Sequence, residues 1–257
     1  MGRNLIYPKT THNTIHRESE RATYDTRTIH EIVNTTPVVH VSFPPDPSDE
    51  FPAILPMIGQ MGSFADPSAD LGEPLDCYLH GYVSSRLMNL ARASEKGLPV
   101  CISATKVDGF VLSLTPFSHS YNYRSAVLQG YGTLVTEKEE KMWAMELITN
   151  SAIPDQWKYT RVPPDGGELA STSVLRVKIV SGSGKMRNGG PHDDKKDLNR
   201  SELTSKIWTG VIPIWQTFGT PVEAPTCGVS KVPERITNFL KETNEDNEEY
   251  GKKAAKD

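Results

Sequence analysis

His119-Ser120-Tyr121-Asn122-Tyr123-Arg124-Ser125-Ala126-Val127, running into Leu128-Gln129-Gly130, is the segment on which the reading of this chain turns. It sets a hydroxyl, an amide and a guanidinium beside two phenols and then passes into an apolar strand. Polar groups able to hydrogen-bond a planar heterocycle thus stand at the mouth of β-structure, where barrels keep their ligands. An ordinary polar loop before a strand has the same composition, so the neighbouring segments have to decide.

Those neighbours are mostly strands. The run that starts near Tyr123 extends to Val135 and ends at Thr136, where Thr136-Glu137-Lys138-Glu139 predicts a capping box for a helix reaching Asn150. Met142, Trp143, Met145, Leu147 and Ile148 give that helix a core-facing side. Upstream, Val100–Val107 and Phe110–Leu114 flank Asp108-Gly109, a short hairpin signal. Further strands are expected at Pro37–Phe43, Leu75–His80, Ser173–Val180 and Ile207–Trp215. Phe51–Ile58 is apolar too, but Pro52 and Pro56 confine it to an edge, where unpaired backbone is open to a ligand. Asp25 is placed to cap a short helix carrying Ile29, Ile32 and Val33, and Leu87, Leu90 and Ala91 mark another. A last helix is predicted from Pro233 to about Lys241, followed by a charged tail, Glu242–Asp257, expected to be disordered. The fold class is therefore mainly β with peripheral helices, a barrel rather than an alternating βαβ sheet. Three parts are expected: a polar arm over 1–22, a main domain over 23–225, and a C-terminal helix with its tail over 226–257.

Composition narrows the function. With 37% hydrophobic and 23% charged residues among 257, the chain has the balance of a globular protein. A net charge of -4 supplies no basic field, which argues against nucleic acid as a partner. No apolar run reaches the roughly 20 residues of a membrane span, and no secretory signal core is visible, so a cytoplasmic location is expected. Cys77, Cys101 and Cys227 have no paired spacing, and the seven histidines no HExxH pattern; neither a disulfide framework nor a metal site is expected.

Ser84-Ser85-Arg86, before a helix, is the best candidate anion site: hydroxyls, free amides and a guanidinium fork meet the positive end of a helix dipole. A plain N-cap with a solvated arginine accounts for the same residues. Lys185-Met186-Arg187-Asn188-Gly189-Gly190-Pro191, with Asp193, Asp194 and Asp197, could close over a ligand, pair between subunits or remain a solvated loop. Ser183-Gly184-Lys185 is no phosphate-binding loop, because position 179 is not glycine and Met186 stands where a hydroxyl residue belongs. No GxSxG elbow occurs.

Taken in order, several blocks resemble the flavin-nucleotide-binding branch of the pyridoxamine-phosphate-oxidase-like split barrels, which includes nitroimidazole-reductase relatives. They are Arg21–Asp25 with Thr28-Ile29-His30, Tyr78–Gly81, Asp108–Leu112, His119–Ser125, Glu139–Lys141, Lys185–Arg187, Asp193-Asp194 and Trp208–Pro213. The resemblance spans about Arg21 to Pro225. It implies a six-stranded FMN-binding split β-barrel that forms a homodimer with a shared cofactor cleft. By position, Ser84, Ser85 and Arg86 would hold the FMN phosphate, and the Leu55-Pro56-Met57-Ile58 backbone would run along the ring. Asn122, Arg124 and Ser125 would bond the ring or ribityl chain, and Trp208 would reach the cofactor from the partner; Arg124 or Lys185 could lower the cost of negative charge on reduced flavin. His80 corresponds to a histidine near the flavin and is the candidate catalytic proton donor.

Tyr121 replaces the family's usual methionine, an extra glycine follows Asn188, and Leu198–Lys206 is a polar insertion. After Trp208, Gly210–Trp215 stands where vitamin B6 oxidases carry an Arg- and His-bearing motif, which disfavours that substrate. The expected function is an FMN-dependent oxidoreductase acting on a small organic substrate. The alternative is a flavin- or haem-binding protein without turnover, with His40, His80 or His119 as an axial ligand.

Overall fold

A computed structural model describes residues 5–46 and 49–256 of the chain. Two units emerge: Met1–Lys106 with Ser125–Lys185, and Val107–Arg124 with Met186–Asp257. The first contains β1 (Ala22–Thr23), β2 (Val39–Phe43), β3 (Ala53–Met57), β4 (Gly59–Gly62) and β5 (Asp76–Tyr82). It also holds most of β6 (Leu98–Leu112), β7 (Ser120–Leu134) and β8 (Thr172–Arg187). Its helices are α1 (Thr26–Asn34), α2 (Arg86–Ala93), α3 (Lys138–Asn150) and α4 (Gly166–Ser171). The second unit adds α5 (Lys195–Leu198), α6 (Ser201–Thr204), β9 (Gly210–Pro213) and α7 (Glu234–Ala254).

The strands run in the order β3-β2-β6-β7-β8-β5-β4, with β1 on β8. The mainly antiparallel sheet with peripheral helices is the expected split barrel. Six strands of five or more residues (β2, β3 and β5 to β8) carry it, and β1, β4 and β9 are short additions. Inward positions alternate as a half-buried sheet requires: Val39, Val41 and Phe43 on β2 and Val100, Ile102 and Ala104 on β6 are buried. Ile29, Ile32 and Val33 of α1 join that core, and Asp25 caps the helix by accepting from the Thr28 N–H at 2.8 Å.

β3 and β4 sit at opposite ends of the strand order, yet only Ile58 separates them. One extended run therefore pairs with β2 through Met57↔Val39 and, two residues on, with β5 through Gly59↔Leu79. This bend curls the sheet. A Cβ at Gly59 would lie 2.9 Å from both Val39 Cγ2 and Leu79 Cδ2, so the corner admits no side chain.

Four local expectations need correction. Asp108-Gly109 makes no hairpin; β6 runs straight through it. Asp108 pairs with Arg124, and Gly109 lies opposite β9, where a Cβ would stand 3.0 Å from Val211 Cγ1 and 3.1 Å from the Ile212 carbonyl. The glycine there serves close approach between strands. The Thr136–Glu139 capping box does not form: the N-cap of α3 is Glu137, without a side-chain cap bond. Strand at 207–215 is limited to Gly210–Pro213. Residues 242–254, expected to be disordered, are helical. α7 continues through Ala254 because small and polar residues anchor it: a Cβ at Gly251 would stand 3.1 Å from the Ile214 carbonyl, and Asn244 bonds both the N–H and the carbonyl of Phe218.

The N-terminal arm is irregular but pinned. Tyr7 donates its hydroxyl to His30 Nε2 at 2.6 Å, while His30 Nδ1 donates to the Leu71 carbonyl at 2.8 Å. That arrangement fixes a neutral imidazole, and burial holds its pKa down at about 4.

Replacing Gly59 with Val is expected to cost about 1–3 kcal/mol, the range of overpacked cores, read as a lower urea midpoint. The His30 pKa is lower folded than unfolded, so the unfolded chain takes up more protons between the ordinary histidine range and about 4. Stability should thus fall as pH drops from about 6.5 towards 4. In a His30→Gln variant, that part of the acid sensitivity should be absent from pH-dependent unfolding curves.

Candidate functional site

In the first unit, β5 leads into a tight turn and then α2. The Ser85 N–H donates to the Tyr82 carbonyl, and Ser85 becomes the N-cap of α2, its Oγ accepting from the Met88 N–H at 3.5 Å. Ser84 is exposed, and its carbonyl accepts from Asn89. Arg86 meets the Asp49 carboxylate at 3.1 Å and lies 5.8 Å from the Phe43 ring centroid. Both partners of that ion pair are substantially exposed, at 44% and 36%. Such pairs contribute about 0–1 kcal/mol, so a doubly charged anion can displace the carboxylate at little cost.

Gly81 brings two of the predicted residues, Met57 and Ser85, together. A Cβ there would lie 3.3 Å from Met88 Cε, 3.8 Å from Met57 Cε and 3.9 Å from Ser85 Oγ. β3, the end of β5 and the start of α2 thus converge directly after His80. His80 Nδ1 is buried and has no hydrogen-bond partner among the described residues. Burial also lowers the His80 pKa, leaving the ring neutral near pH 7. A buried polar atom without a partner is uncommon and marks either a functional group or a ligand's place.

Leu55 and Met57 are half-buried on β3, while Pro56 and Ile58 are exposed. β3 ends the strand order, so its outer backbone edge faces no strand among the described residues. Ser125 donates its hydroxyl to the Lys185 carbonyl at 3.0 Å, and Lys185 donates to the Arg17 carbonyl at 2.7 Å. His40 is exposed on β2.

Asn122, Arg124 and Trp208 belong to the second unit. Arg124 donates to both Asp108 oxygens, at 2.9 and 2.7 Å, and stacks 3.6 Å from the Tyr250 ring centroid. Asn122 is fully buried: its amide donates to the Gly189 and Ala254 carbonyls and its oxygen accepts from Arg187. The side chains that the resemblance points at flavin are, in this unit, engaged in holding the end of α7. Trp208 is 63% exposed, and His119 Nδ1 accepts from the Ser113 N–H. Asp49 and Tyr250 escaped sequence reasoning, and Asp108 and Arg187 were read only as parts of a turn and of a mixed-charge loop, because their partners are distant in sequence and no local spacing announces them. Gly81 did carry a signal, but the sequence reading ends the strand at His80, whereas β5 runs through Gly81 to Tyr82.

The open antiparallel barrel, with a helix N-terminus beside its edge strand, defines a class of split-barrel proteins. Residues 25–186 match the model of the pyridoxamine 5'-phosphate oxidase family, and the chain belongs to that family. Among solved structures, the flavocytochrome Anf3 from Azotobacter vinelandii is 25% identical with a TM-score of 0.74, over 90% of this chain and 97% of that one. The FAD and haem binding protein from Mycobacterium smegmatis shares the fold at 24% identity and a TM-score of 0.70, over 86% and 97%. No curated protein matches the sequence. No helix among the described residues is long and apolar enough to cross a membrane.

Replacing Arg124 with Ala would strand Asp108, whose side chain is 4% exposed, as an unpaired buried charge. The expected loss is about 3–5 kcal/mol, with faster amide exchange along α7 than along α1.

Proposed function

We propose that the protein is a flavin-nucleotide-dependent oxidoreductase acting on a small organic molecule, with FMN as the nucleotide and a homodimer as the working form. The observation that carries the reading is the convergence at Gly81 of an edge strand with a capped helix start that carries an exchangeable guanidinium, one residue after the unpartnered Nδ1 of His80. Family membership and the likeness to a flavocytochrome over nearly all of both chains support it. Ser84, the α2 N-terminus and Arg86 would hold the phosphate, and Arg86 would exchange Asp49 for it. The Leu55–Ile58 edge would border the ring, and Ser125 and Lys185 are assigned to the cofactor by family resemblance. Asn122, Arg124 and Trp208 are assigned to the cofactor by family resemblance. A bound flavin supplies hydride or electron transfer at its ring. His80 would move the accompanying proton: burial destabilises its protonated form and so makes that form the stronger acid. The exposed apolar side chains Phe51, Ile54 and Val127 favour burial against a second copy.

A haem-binding reading is favoured by one observation, that the matched Anf3 is a flavocytochrome. His80 would then be the candidate ligand, since His119 Nδ1 is already engaged. A Soret band in the purified protein, lost in His80→Gln, would establish it.

The test of the main reading begins with the flavin itself. Purified protein should show flavin absorbance, release FMN rather than FAD, and scatter light as a dimer. Arg86→Ala should weaken FMN about ten- to a hundredfold with an unchanged melting temperature, the contribution of a bond to a charged group. Riboflavin, lacking the phosphate, should bind both proteins equally poorly. His80→Gln should retain FMN while reoxidation of the reduced protein by a quinone slows about a hundredfold. Equal FMN affinity in Arg86→Ala would return Ser84-Ser85-Arg86 to a helix cap.

A further inference from the structure

Across the strands of the first unit lies a second feature, an open cleft of about 610 Å³. Its walls are mainly apolar: Pro44, Pro45, Pro52 and Pro99 contribute rigid rings, and Tyr131, 47% exposed, also lines it. Phe43, whose ring faces the Arg86 guanidinium at 5.8 Å, also lines it, so the cleft adjoins the proposed phosphate turn.

Among the polar side chains in these walls, Ser42, Gln129 and Ser181 have no side-chain hydrogen bond among the described residues. Ser42 and Gln129 are half-buried, and the Ser181 hydroxyl is buried without a partner. An unpaired hydroxyl in a residue only 6% exposed is costly, and an amide held half-buried among prolines gains nothing from the fold. Rigid apolar walls with a few convergent polar groups are what small-molecule sites are built from, and the volume lies within their ordinary range. Proline C–H groups and a tyrosine ring are favourable neighbours for an aromatic ring, and Gln129 and Ser42 offer both donors and acceptors to its polar group.

We infer that this cleft binds a planar aromatic molecule carrying a hydroxyl or carbonyl group. That such a molecule is the substrate of the proposed oxidoreductase rests on the flavin reading; the binding itself does not.

Cys101 lies in the cleft wall, half-buried, and reports on occupancy. Cys77 is fully buried with its thiol pushed up to about 12, and Cys227 is exposed, so a Cys227→Ser variant leaves Cys101 as the thiol open to reagent. Its alkylation by iodoacetamide would be followed by mass spectrometry in the native oligomer, with and without FMN. 2-Naphthol is the probe, and decahydro-2-naphthol, with the same hydroxyl on a saturated, puckered frame, is the control. Saturating 2-naphthol should slow alkylation about tenfold or more, while the saturated alcohol should leave it unchanged. Gln129→Leu should weaken 2-naphthol about five- to tenfold by calorimetry, the value of one hydrogen bond, with an unaltered melting temperature. Equal protection by both alcohols would overturn the aromatic class. No protection by 2-naphthol, a Cys101 closed to reagent in the native oligomer, or unchanged affinity in Gln129→Leu would overturn the site. If FMN fails to bind while 2-naphthol still protects Cys101, the flavin reading falls and the cleft assignment stands.

Discussion

The bend at Ile58-Gly59 is the constraint on which the barrel depends. A single extended run has to leave β2 and reach β5 within two residues, although those strands lie far apart in the sheet order. Hydrogen bonding alone would tolerate many residues at position 59. Packing does not, because Val39 and Leu79 approach from two sides to within 2.9 Å of where a Cβ would be. The sheet thereby curls instead of spreading flat, and β3 becomes an edge strand running beside the α2 N-terminus. The candidate site inherits its geometry from that corner: Met57, one residue before Ile58, reaches Gly81 from β3.

Electrostatics divides the arginines of this chain by burial. Arg124 makes two bonds to a carboxylate that is 4% exposed and stacks beneath Tyr250, an arrangement that is expensive to disturb. Arg187 is itself 5% exposed and reaches Asn122 and the carbonyls of Gly189 and Gly190. Arg86 differs. Its carboxylate partner is open to water, where Coulomb attraction is screened and exchange is cheap. Of these three guanidiniums, Arg86 is therefore the one suited to taking a ligand anion.

The same distinction explains why a polar motif can mislead. Asn122 and Arg124 have the chemistry of ligand-binding residues, and in the second unit that chemistry satisfies the end of a helix. The carbonyl of Ala254 near the end of α7 takes bonds from the Asn122 amide and the Gly189 N–H. Terminal helix carbonyls need such donors, and a sequence rich in Glu, Lys and Asn gives no hint of where they come from. α7 is held by Tyr250 on a guanidinium, by Gly251 against the Ile214 backbone and by Asn244 on Phe218. None of these is an apolar stripe, and so the segment reads as a solvated tail.

Periodicity was legible wherever a strand or helix buries one face: β2, β7, α1 and the body of α3 follow directly from alternating or helical apolar spacing. The Ser85 cap was equally visible, since capping depends on neighbours within three residues. Asp108-Gly109 was ambiguous, because a glycine that permits a turn also permits close approach of another strand, and only the position of Val211 and Ile212 decides between them. Sequence alone determined the strand-rich architecture and the chemistry on offer at Ser84–Arg86 and His80, because those are properties of local spacing and residue type. The tertiary structure decided which polar groups are already satisfied and which are left without a partner. That depends on contacts such as Arg86 with Asp49 or Asn122 with Ala254, made between residues 37 and 132 positions apart, and no local pattern encodes them.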